Sequence, residues 1–178
     1  MCVTSVPDNE EIAPTPEAAA SGLATERTRR LDRIDAMRAA GVNPYPYRFD
    51  RTHSLGEIRE QHGHLEAGTE TETRVSVAGR ILLKRDQGKL IFCTIRDRAS
   101  DIQLFVSKSV VGDTEFDEIN ELDLGDWVGV TGLVMTTRKG ELSIKVEHAQ
   151  LLSKAVRPLP DKWHGLTDVD TRYRQRYA

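Results

Sequence analysis

Two cysteines are all the chain has, Cys2 in a polar tail and Cys93 in a strand-like run. That excludes a disulfide framework and a thiolate metal cluster, and it suits a reducing, cytoplasmic location. No apolar run approaches the roughly 20 residues that a membrane-spanning helix needs. The first 20 residues have neither a basic start nor an apolar core, unlike a secretory leader. Missing as well are the arrangements that carry chemistry: no Ser–His–Asp set, no glycine-rich phosphate loop and no paired acid–base carboxylates. No catalytic residue and no cofactor is expected in this chain, which reads as a binding module.

Basic side chains are absent from residues 1–26, which carry five acidic ones (Asp8, Glu10, Glu11, Glu17, Glu26). The net charge of −3 therefore misstates the rest, because residues 27–178 hold 25 basic against 23 acidic side chains, a net of +2. A mildly basic body permits a nucleic-acid partner without requiring one. With 38% hydrophobic and 30% charged residues over 178 positions, the chain has an ordinary globular make-up and room for one domain plus extensions.

Residues 1–22, rich in Pro, Ala, Glu, Ser and Thr, read as a disordered acidic tail. A helical extension is expected over 23–72. Its first helix runs from about Leu23 to Ala40, with Leu31, Ile34 and Met37 on one face, and stops at Gly41 and Asn43-Pro44. Arg27, Arg29, Arg30, Arg33 and Arg38 on this helix are either a solvated face or a surface that lies along an RNA backbone. Pro44-Tyr45-Pro46-Tyr47 makes an extended connector. Ser54-Leu55-Gly56-Glu57 is a capping box that opens a short helix to about Gln61. His53, His62 and His64 lie close in sequence, but no cysteine or second cluster completes a metal site, so they read as surface residues.

From Arg74 the hydrophobic period changes to two. A first strand of about eleven residues alternates Val75, Val77, Gly79, Ile81 and Leu83 with Arg74, Ser76, Ala78, Arg80 and Leu82. The turn Asp86-Gln87-Gly88 leads to a second strand, Lys89 to Asp97, and a tight connection to a third, Asp101 to Ser107. A helical segment, Asp113 to Asn120, precedes a fourth strand, Trp127 to Thr136. The basic hairpin Arg138-Lys139-Gly140 then gives a fifth, Glu141 to Leu152. Five strands with a helix between the third and fourth are the order of an OB-fold barrel, placed at 73–153. The predicted class is mainly β with flanking helices.

Side chains of successive strand residues point to opposite sides. The aliphatic sets Ile91, Cys93, Ile95 and Ile102, Leu104, Val106 must face the core. Phe92, Arg96, Gln103 and Phe105 are left outside on adjacent strands, with Arg80 on the polar set of the first strand and Glu141 beside the basic hairpin. OB-folds bind oligonucleotides on this face, between the loops joining strands one to two and four to five. Those loops hold Lys84, Arg85 and Lys89, and Arg138 and Lys139, which can meet phosphates. Phe92 offers a stacking surface, and Phe105 either does the same or packs under a neighbouring segment. Gln103 can donate and accept, whereas Glu141 only accepts. Arg96 and Asp97 have the alternative of a strand-end ion pair, and Cys93 reads as an inert packed thiol.

Several strings extend this reading. Arg38-Ala-Ala-Gly-Val-Asn-Pro-Tyr-Pro46, Val77-Ala-Gly-Arg80, Phe92-Cys-Thr-Ile-Arg-Asp97, Asp123-Leu-Gly-Asp126 and Gly140-Glu-Leu-Ser143 resemble bacterial class II lysyl-tRNA synthetases. So does Arg157-Pro-Leu-Pro-Asp-Lys-Trp-His-Gly-Leu166, running into Arg172-Tyr-Arg-Gln-Arg-Tyr177, although Trp163 stands where that family more often has Phe. The resemblance covers about residues 27–177 and implies the family's N-terminal, anticodon-binding region. It implies that Phe92 stacks on an anticodon uridine, that Gln103 lies beside it, and that Arg80 and Glu141 contact bases. It also implies that full-length enzymes are homodimers using ATP, Mg²⁺ and lysine. Residues 154–178 would then be a linker towards a class II catalytic domain that does not follow before Ala178. The expected partner is the anticodon stem-loop of lysine tRNA, with no membrane involved and lysine activation not expected of this chain alone. A monomer is compatible with this stretch of the family. The alternatives are a free-standing tRNA-binding module and a general single-strand nucleic-acid-binding OB-fold.

Overall fold

The computed structural model describes residues 16–158, with side chains from Gly22 onward. The residues of the expected tail before Pro16, and the linker strings after Pro158, lie outside the described residues. Period-two patterning becomes five strands: β1 (Glu70–Asp86), β2 (Leu90–Arg96), β3 (Asp101–Ser107), β4 (Trp127–Thr136) and β5 (Leu142–Ser153). Four helices accompany them: α1 (Pro16–Ala39), α2 (Leu55–His62), α3 (Lys108–Val111) and α4 (Asp113–Asn120). The strands close in the order β1-β2-β3-β5-β4. β3 and β5 are parallel and every other pair is antiparallel. That is the OB-fold barrel that the strand order predicted.

β1 is longer than the eleven residues expected because it serves two neighbours. Its first part pairs with β4, from Glu70 to Arg80, and its second with β2, from Arg80 to Asp86. The inward residues Val75, Val77, Ile91, Ile95, Ile102, Val106, Val130, Ile144 and Val146 are all buried. Each such side chain contributes about 1.5–3 kcal/mol by leaving water. α2 closes the core with Leu55 and Ile58, and α4 adds Phe116 and Ile119.

The capping box at Ser54 forms as its sequence dictates. The Ser54 hydroxyl accepts from the Glu57 N–H at 3.2 Å, and the Glu57 carboxylate accepts from the Ser54 N–H at 2.6 Å. The next N–H, that of Leu55, donates to Asp97 Oδ2 at 2.8 Å and ties α2 to the β2–β3 turn. Burial pushes the Asp97 carboxyl up, but N–H groups of Leu55, Ser100 and Ala99 outweigh it and hold the acid below its usual range.

α1 begins at Pro16, inside the stretch expected to be tail. Proline is tolerated in a first helical turn, and the alanines that follow are strong helix formers. After Ala39 the chain turns off at Gly41, φ 76°, with Val42 N–H donating to Met37 O at 2.8 Å and Gly41 N–H to Arg38 O at 3.0 Å. This is a Schellman ending, which needs the left-handed backbone that glycine adopts without strain.

Neither reading of the α1 arginines describes what three of them do. Arg30 is 4% exposed and donates to Leu124 O at 3.1 Å and Ala155 O at 3.0 Å. Arg29 binds Asp123 at 2.6 Å, and Arg33 donates to Glu121 O. Beneath them lies buried Lys154, paired with Asp123 and, at 2.7 Å, with fully buried Asp126. Asp126 Oδ1 also accepts from the Ala155 N–H at 2.8 Å. Although burial opposes it, Lys154 and Arg29 hold the Asp123 carboxyl at about 2. The basic helix is thus an anchor to the α4–β4 loop and to the chain leaving β5.

Candidate nucleic-acid interface

Strand register arranges Arg80, Arg85, Phe92, Arg96, Gln103 and Phe105, with their strand neighbours, into three rows across the outer face. The first row is Arg85, Phe92, Phe105 and Lys145, each opposite the next on β1, β2, β3 and β5. The second is Leu83, Thr94, Gln103 and Ser143. The third is Arg80, Arg96 and Asp101. Adjacent rows are two residues apart along β2 and β3, about 6–7 Å. The face therefore carries an aromatic row, a polar row and a charged row in sequence.

In the aromatic row the Phe92 and Phe105 rings meet edge to face, with centroids 5.5 Å apart and planes at 68°. Both are half-buried, so Phe105 stays on the face beside Phe92. Such a pair braces its rings while leaving surface on which a planar base can stack. Arg85 and Lys89 flank it as exposed cations.

Lys84 departs from its expected place beside them. A β-bulge between Ile81 and Leu83 shifts the register, so Lys84 lies opposite core-facing Cys93 while Leu83 moves to the outer face. The Lys84 ammonium donates to Asn120 O at 2.6 Å and Leu122 O at 2.7 Å, at the end of α4. Burial depresses its pKa, and burial likewise pushes the Cys93 thiol up to about 12, which makes Cys93 a packed thiol with no thiolate character.

In the polar row, Gln103 Nε2 donates to Ser143 Oγ at 3.0 Å, and the Ser143 hydroxyl donates to Glu141 O at 3.0 Å. Glu141 falls just before β5, and its exposed carboxylate lies 3.8 Å from Arg59 on α2. Arg59 also donates to Asp101 O at 2.6 Å. The hairpin that carries Arg138 and Lys139 is exposed and turns at Gly140, φ 83°.

In the charged row Arg80 and Arg96 face each other, and like charges directly opposite are unfavourable unless compensated. Arg96 is compensated by a two-pronged pair with Asp101, one prong at 2.6 Å, which raises the arginine's pKa and lowers the aspartate's. Its partner is therefore Asp101 and not the Asp97 beside it in sequence. Arg80 instead lies over the Trp127 ring, 5.7 Å from its centre. Beyond this row Arg59, Arg96 and Arg98 line a shallow cavity of about 490 Å³ above the β2–β3 turn.

Strand parity alone missed Ser143, Lys145 and Arg59. The first two follow from the parallel pairing of β3 with β5, which no local pattern announces. Arg59 reaches the face only because α2 packs across the end of the barrel.

Comparison with known proteins agrees with this fold. Residues 75–152 match the tRNA anticodon family, described as an OB-fold nucleic acid binding domain. The lysine–tRNA ligase of Enterococcus faecalis is 48% identical over 150 residues, 83% of this chain and 30% of that protein. The Synechococcus sp. RCC307 ligase is 46% identical over 152 residues, 85% of this chain and 30% of that protein. The Prochlorococcus marinus MIT 9313 ligase is 43% identical over 166 residues, 88% of this chain and 33% of that protein. The chain spans about a third of the length of these relatives. It belongs, through its OB-fold nucleic acid binding domain, to the lysine–tRNA ligase family.

Proposed function

We propose that residues 70–153 bind the anticodon loop of lysine tRNA on the β1–β2–β3 face, as the recognition domain of a lysine–tRNA ligase. The observation that carries this reading is the succession of rows: an aromatic pair to stack a base, a glutamine one row away to read its edge, and arginines beyond. Exposed Arg85, Lys89, Arg138 and Lys139 supply charge for phosphates at both ends of the face. Lysine attachment, with ATP and Mg²⁺, is proposed for the full-length enzyme, a homodimer in the cytoplasm. A general single-strand binder would use the same aromatic pair without caring which base it holds.

Affinity for a lysine-anticodon stem-loop, compared with one whose middle uridine is replaced by cytidine, separates the two. Anticodon reading requires weaker binding of the replaced loop. Equal affinities would leave a general single-strand binder. Salt dependence alone does not discriminate, because phosphate contacts produce it in either case.

A further inference from the structure

We infer that Ser143 is a positioning residue that fixes which face of the Gln103 amide is shown to the bound base, and so selects a base whose ring nitrogen has an N–H to donate. The inference rests on the proposed anticodon reading and concerns the hydrogen bonds of three residues. A glutamine amide has two nearly isosteric ends, an acceptor oxygen and a donor nitrogen. Left free, it could turn either end to a base and would accept uridine or cytidine alike.

Ser143 removes that freedom by proton count. Its side chain is fully buried, so water cannot substitute for a lost partner. Its single hydroxyl proton goes to Glu141 O, a carbonyl that can only accept, at 3.0 Å. Ser143 Oγ is then left with lone pairs alone, and the group 3.0 Å away on Gln103 must be the donating Nε2. The Gln103 oxygen has no donor among the described residues and remains as the free acceptor of the polar row. Turning the amide over would make Ser143 give its proton to Gln103 and surrender the bond to Glu141 O, so one of two hydrogen bonds would be lost.

Gln103 lies one row from the Phe92–Phe105 pair, about 6–7 Å along β3, within reach of the edge of a stacked base. An outward acceptor level with the ring nitrogen suits uracil, whose N3 carries an N–H, and opposes cytosine, whose N3 is itself an acceptor and whose donor is the amino group on the neighbouring carbon. The same carbonyl of Glu141 accepts from the Thr137 N–H at 2.9 Å, which couples the amide to the β4–β5 hairpin.

The test measures binding of the whole chain to stem-loops with uridine or cytidine at the middle position. Ser143→Ala and the near-isosteric Ser143→Cys should reduce the uridine-to-cytidine preference by about 2- to 10-fold, the worth of one neutral hydrogen bond. The change should come mainly from improved cytidine binding. Ser143→Thr keeps the hydroxyl and should keep the preference, which a merely structural role would not require. If wild type prefers uridine and both hydroxyl-free variants keep that preference in full, the inference fails while the anticodon reading stands. If wild type shows no preference, both fail together.

Discussion

Lys84 and Arg85 are neighbours in one basic loop sequence, yet the bulge after Ile81 gives them opposite surroundings. Lys84 is spent on carbonyls at the end of α4 and just beyond it, whereas Arg85 stands exposed at the end of the aromatic row. Replacing Lys84 with Ala should cost about 1.5–3 kcal/mol of folding stability, the range for hydrogen bonds to charged groups. It should leave the salt dependence of RNA binding unchanged. Arg85→Ala should do the reverse: stability within about 0.5 kcal/mol of wild type, and a salt slope shallower by about 0.7. Urea unfolding and binding titrations at several salt concentrations check both. Parity did place Phe92, Gln103 and Phe105 correctly outside, because β2 and β3 have no register break between them. It failed at Leu83, which alternation grouped with the core set, and the loop placement of Lys84 failed with it, since one extra residue in a strand inverts everything beyond it and no residue type marks the spot.

At the scale of elements, α1 is held by charge. Arg29, Arg30 and Arg33 grip the α4–β4 loop, while Lys154 neutralises Asp123 and Asp126 beneath it. Lys154→Met would leave the fully buried Asp126 without its cation and should destabilise the fold by about 3–5 kcal/mol, read from thermal or urea unfolding. Acid should act on the same anchor. The folded Asp123 carboxyl sits at about 2, below the ordinary 3.8, so its contribution is complete above about pH 4. It should be lost as the pH falls from there towards 2, and Asp123→Asn should flatten that part of the stability profile. The helix itself was legible from the spacing of Leu31, Ile34 and Met37 and from its glycine stop. The destination of its arginines was not, because a basic helix looks the same whether it faces water, RNA or a carboxylate loop some 90 residues away in sequence.

For the whole molecule, five alternating segments and a helix after the third specified the barrel, and the strings shared with lysine–tRNA ligases specified which barrel. What local pattern could not supply was the parallel contact of β3 with β5, and with it Ser143, Lys145 and the link from Gln103 to the β4–β5 hairpin. The central claim is that a base of the anticodon loop stacks on Phe92. Its most direct test is a double-mutant cycle between Phe92→Ala and a stem-loop lacking the base at the middle position. If the ring and that base are partners, Phe92→Ala should cost about 1–3 kcal/mol of binding on the intact loop and almost nothing on the abasic one. Equal losses on both loops, or no loss on either, would contradict it.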